Sequence, residues 1–69
     1  MMRRIEDCRG RCVCFADSST GLVEFKNRNI KGSAIVEVGA SFVIQRDDTE
    51  TRLIRVSRDR FELKSRIIA

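Results

Sequence analysis

The sequence predicts an all-β fold, a small antiparallel meander of five to six strands. Three observations predict it. Apolar and polar residues alternate wherever a period is legible, most clearly over 61–67, where Phe61, Leu63 and Ile67 oppose Glu62, Lys64 and Arg66. No stretch long enough for a stable helix keeps apolar side chains at i, i+3, i+4 and i+7. Turn residues fall between the apolar runs at the close spacing a meander requires.

In chain order, residues 12–16 form the longest uninterrupted apolar run and read as a central strand packed on both faces. Asp17, Ser18, Ser19, Thr20 and Gly21 then close a hairpin, with Asp and Ser making local side-chain turns and Gly21 supplying positive φ. Val23, Glu24, Phe25 and Lys26 alternate as the second strand, and 27–32 reads as a longer connection. Val36, Glu37 and Val38 make a short third strand before a turn or bulge at Gly39. Residues 41–44 follow as the fourth strand, and 46–50 close the next hairpin. Residues 52–57 pair with 60–66 across a turn at 57–60. Such strands bury their inner faces by curling into an SH3-like or Sm-like barrel or a two-layer roll. The alternation assigns Val13, Phe15, Val23, Phe25, Val36, Val38, Phe42, Ile44, Ile54, Val56, Phe61 and Leu63 to the interior. Each is worth ~1.5–3 kcal/mol when fully buried, against ~1–2 kcal/mol of conformational entropy per residue. That margin is thin, and small domains often widen it by oligomerising through unpaired edge strands.

A chain of 69 residues is expected to form one domain, and its lack of histidine removes Cys-His and Ser-His nucleophile pairs together with the commonest zinc ligand. Neither a Gly-rich phosphate loop nor a paired carboxylate site is present, so a non-enzymatic protein without cofactors is expected. Cys8, Cys12 and Cys14 are the nearest approach to a metal cluster. They lack a fourth ligand and zinc-ribbon spacing, and read as small apolar strand residues. Asp47, Asp48 and Glu50 read as a solvated hairpin tip. An odd cysteine count, an N-terminus without a secretory pattern and the absence of a membrane-length apolar run point to a soluble, cytoplasmic protein.

The net charge of +4 comes from 14 basic and 10 acidic residues, and every basic residue except Lys26, Lys31 and Lys64 is an arginine. Arginine's planar fork suits phosphate and carboxylate partners. Arg52, Arg55, Arg58, Arg60 and Arg66 lie on two adjacent expected strands and their turn, so their outward members are expected to merge into one nucleic-acid-binding patch. With every Phe assigned inward, binding would rest on phosphate electrostatics without base stacking. The alternative is a protein-interaction module, a homodimer or a binder of an acidic protein, working through edge-strand pairing away from any membrane.

Overall fold

The structure, a computed structural model, describes residues 1–27 and 29–68 and contains no helix among them. Its strands are β1 (Arg3–Glu6), β2 (Cys12–Asp17), β3 (Leu22–Asn27), β4 (Ile30–Ile35), β5 (Ser41–Arg46), β6 (Thr49–Ser57) and β7 (Arg60–Ile67). They form a four-stranded sheet, β1-β2-β3-β4, and a three-stranded sheet, β5-β6-β7. Every neighbouring pair is antiparallel. The all-β class and the meander order agree with the sequence reading. The structure shows two sheets and no closed barrel: among the described residues no ladder joins one sheet to the other.

Two elements differ from expectation. β1 occupies Arg3–Glu6, where the sequence reading has no strand, and β4 begins at Ile30, inside the span read as a connection. Gly32 caused the second error. It is a β4 residue directly opposite Phe25, and the Phe25 ring lies where a Cβ on Gly32 would stand. The glycine therefore admits an aromatic ring across the strand pair rather than making a turn. Residues 36–40, read partly as strand, instead connect β4 to β5. Val36 N–H donates to the Gly21 carbonyl at 2.8 Å and Gly39 N–H to the Arg55 carbonyl at 2.7 Å.

The core joins Cys14, Ala16, Val23 and Val36 to Leu53 of the other sheet, flanked by Ile5, Val13, Phe25, Phe42, Ile44 and Phe61. Phe25 and Phe42 bring their rings together from the two sheets at 5.9 Å between centroids. Two strands run one residue out of phase with the sequence reading. In β2, Cys14 and Ala16 face inward and Phe15 is 45% exposed. In β6, Thr49, Thr51, Leu53 and Arg55 are buried, Ile54 is half-buried and Val56 exposed. Val38 and Leu63 are also exposed, so the interior holds smaller residues than expected.

The inward polar residues of β6 are stable there because each finds a partner. Thr49 donates to Asp7 Oδ2 at 2.9 Å, and the hydroxyls of Thr51 and Ser65 meet at 3.0 Å. Asp7, itself buried, accepts the backbone N–H groups of Arg9 and Arg11 at 2.9 Å each on Oδ1, and Arg11 Nε at 3.0 Å on Oδ2. The Arg11 guanidinium continues to Asp47 at 3.1 Å and Asp48 at 3.0 Å, while Arg9 reaches Asp48 at 2.7 Å. The pair read as a solvated tip is thus part of a clamp between the β1–β2 and β5–β6 turns. Asp47 takes a φ of 53°, which a short polar side chain tolerates in a two-residue hairpin turn.

Burial alone would raise the Asp7 carboxyl, but the N–H groups of Arg11 and Arg9, the Thr49 hydroxyl and the Arg11 guanidinium outweigh it and hold it well below the usual carboxylate range. Asp48 is lowered too, its burial being offset chiefly by Arg11 and Arg9. Asp17 is lowered to about 2 by the Ser19 hydroxyl and N–H. Depressed folded-state values stabilise the protein fully above the unfolded value of about 4 and lose that contribution as pH falls through the folded values. Thermal melts should therefore be insensitive to these groups at neutral pH and fall progressively below about pH 4. Asp7→Asn should lower the melting temperature at pH 7 and flatten the acid limb; equal acid sensitivity in both proteins would contradict this assignment.

Candidate polyanion interface

Residues directly opposite in an antiparallel pair share a face, so the β5-β6-β7 register defines the solvent side of the three-stranded sheet. There Val43 stands opposite Arg52, Arg52 opposite Lys64, Glu50 opposite Arg66 and Ile54 opposite Glu62. Glu50, Arg52, Ile54, Lys64, Ser65 and Arg66 line a shallow groove of about 360 Å³. The three cations in it are open to solvent, with side-chain exposures of 51% for Arg52, 67% for Lys64 and 72% for Arg66.

Local charge explains their arrangement. Glu50, largely covered, holds Arg66 at 3.1 Å and Arg52 at 3.9 Å, whereas Lys64 meets Glu62 on its own strand at 3.8 Å. Exposed pairs of this kind contribute ~0–1 kcal/mol, so they orient the cations without consuming them. Arg52 and Lys64 are like charges directly opposite each other, an arrangement that costs sheet stability. An anion lying across the groove would relieve that repulsion.

The arginines expected to form one patch lie in four places. Arg52 and Arg66 share the groove with Lys64. Arg58 sits in the β6–β7 turn, and Arg60 lines a separate cleft with Arg3. Arg60 and Arg66 stand at opposite ends of β7, about 20 Å apart along an extended strand. Arg55 does not reach the surface and is only 8% exposed. Its Nη1 donates to the Val36 carbonyl at 3.1 Å and its Nη2 to the Arg58 carbonyl at 2.7 Å, with longer contacts to Thr20 and Ser19 carbonyls. It thereby fastens the β2–β3 turn, the β4–β5 connection and the β6–β7 turn at the end of the molecule opposite the Asp7 clamp. Local hydropathy gives no signal for this inward position, since it favours Ile54 and Val56 on the inner face.

The cysteines do not gather into a site. Cys8 is exposed, Cys12 half-buried and Cys14 buried, all free. Burial, with Cys12 adding to it, pushes the Cys14 thiol up to about 11, which makes it a poor nucleophile. Among the described residues no three His, Cys, Asp or Glu side chains are grouped to hold a metal ion. No helix of the described residues is long and apolar enough to cross a membrane. Comparison with known proteins finds no matching family model, no similar curated protein and no similar solved structure.

Proposed function

We propose that this chain is a non-enzymatic β module of the cytoplasm that holds the phosphate backbone of a nucleic acid across the outer face of β5-β6-β7. The observation that carries the reading is the directly opposed Arg52 and Lys64 pair, extended by Arg66 over one groove. Glu50 positions both arginines. The groove presents no aromatic side chain on which bases could stack, so contacts are to phosphates and binding tolerates sequence. Free cysteines in odd number accord with a reducing compartment.

Titration of labelled single- and double-stranded oligonucleotides tests this. Three neutralised phosphates give a log–log salt slope of about −2 for single strands and about −3 for duplex, a loss of roughly 20- to 40-fold between ~50 and ~200 mM salt. Exchanging both Arg52 and Arg66 for Glu should abolish binding with an unchanged far-UV spectrum. Absence of binding at the lower salt, or binding that ignores salt, would end the reading.

Among the described residues β7 has no strand on its outer edge, which supports a second reading, pairing with another copy of the chain. Leu63 and Ile67 on that edge strand are 45% and 55% exposed. β6 offers no such edge, because it is the central strand and has both sides paired. Light scattering should then report a dimer that Leu63→Lys dissociates; a strict monomer at high concentration would remove this reading.

A further inference from the structure

We propose that the cleft between β1 and β7 binds a ring-sized organic anion, a carboxylate or phosphate carried on an apolar body. The cleft measures about 170 Å³ and has Ile5, Ala16 and Phe61 along its apolar wall, with Arg3, Arg60, Ser18 and Asp59 as its polar lining. An apolar cavity of about 150 Å³ accepts a benzene ring, which sets the size of the body.

Charge sets the other half of the ligand. Arg3 comes from one sheet and Arg60 from the other, and neither side chain makes an ion pair or donates a hydrogen bond among the described residues. Behind this end lies the buried Arg55 guanidinium, held by neutral carbonyls and with no carboxylate partner among the described residues. Its Nε has no hydrogen-bond partner. Uncompensated positive charge in a partly dry setting attracts an oxyanion. Asp59 is the opposing charge in the lining, and it accepts the Ser57 hydroxyl at 3.1 Å. Two arginines against one acidic side chain in the lining favour a single anionic group with its body turned toward Phe61.

The cleft is distinct from the Arg52, Lys64 and Arg66 groove, so its test is independent of nucleic-acid binding. Benzoate, phenyl phosphate and neutral benzyl alcohol are titrated into the isotope-labelled protein and followed by amide shifts. One or both anions should saturate with Kd of about 1 mM or tighter, with shifts at Arg3, Ile5, Arg60 and Phe61, and benzyl alcohol at least tenfold more weakly. Comparing benzoate with phenyl phosphate decides which oxyanion the cleft takes. The R3Q/R60Q double variant should lose tenfold or more with its spectrum otherwise intact, Asp59→Asn should tighten binding, and exchange of Arg52 and Arg66 for Glu should leave it unchanged. Equal binding of the neutral alcohol, no saturable shifts from either anion, or an R3Q/R60Q variant that binds as well as the original would overturn the proposal.

Discussion

Replacing Arg55 by methionine should destabilise the protein by about 3 kcal/mol, because the stem volume is kept while the buried Val36 carbonyl and the partly buried Arg58 carbonyl lose their donor. Each buried polar group left unpaired costs ~1–3 kcal/mol, and the whole domain holds only ~4–10 kcal/mol of stability at 0.05–0.15 kcal/mol per residue. For a domain of this size the loss corresponds to a melting temperature lower by roughly 15 °C. Arg55→Lys should fall between the two, since an ammonium retains the charge but cannot span both carbonyls with a planar fork. Chemical denaturation checks both variants. If Arg55→Met were as stable as the original, the guanidinium would not be what fastens the three connections at that end. A buried ion can sometimes be exchanged for a hydrophobe without cost, but only when its partners are removed with it. Here the partners are backbone carbonyls that no side-chain substitution removes.

Leu53→Ala should cost about 3 kcal/mol, within the 2–5 kcal/mol that buried leucines lose through transfer and cavity terms. Leu53 is completely buried at the centre of the middle strand of its sheet. Ile54, its neighbour on the other face, lies half-buried beside Arg52 and Lys64 in the groove, and Ile54→Ala should cost only about 1 kcal/mol. Equilibrium denaturation of the two variants therefore reads the phase of β6 directly. A larger loss at Ile54 than at Leu53 would place the strand in the opposite phase and return Arg55 to solvent.

That phase is also where sequence reasoning met its limit. In β7 the polar residues Glu62, Lys64 and Arg66 all fall on one side, so hydropathy alone assigns that strand's outer face. In β2 a continuous apolar run contains no polar residue to mark the solvent side, and the choice between Phe15 and Cys14 with Ala16 was decided by packing. In β6, hydropathy favoured Ile54 and Val56 inside, whereas the buried face carries two threonines and an arginine. Those residues are inward because distant partners satisfy them: Asp7 for Thr49, Ser65 for Thr51, and several turn carbonyls for Arg55. Partners up to 42 positions away in the chain leave no local signature. The same holds for the Asp7 and Arg11 clamp, in which residues that read as surface charge join two turns of different sheets. The groove was legible in part, because alternation in β7 turns Arg66 outward, whereas the phase that hydropathy favours in β6 turns Arg55 rather than Arg52 to solvent. Lys64 belongs beside Arg52 through the β6–β7 register, while Arg58 and Arg60 follow the turn away from the groove.

In the proposed function, phosphates lie on the groove face of β6 and β7. Amide shift mapping of the isotope-labelled protein, titrated with a short oligonucleotide at low salt, tests it most directly. Perturbations are expected to concentrate at Glu50, Arg52, Ile54, Lys64 and Arg66 and to fade as salt is raised. Perturbations centred instead on Phe15, Leu22 and Ile35 of the four-stranded sheet, or none at any protein-to-oligonucleotide ratio, would contradict it.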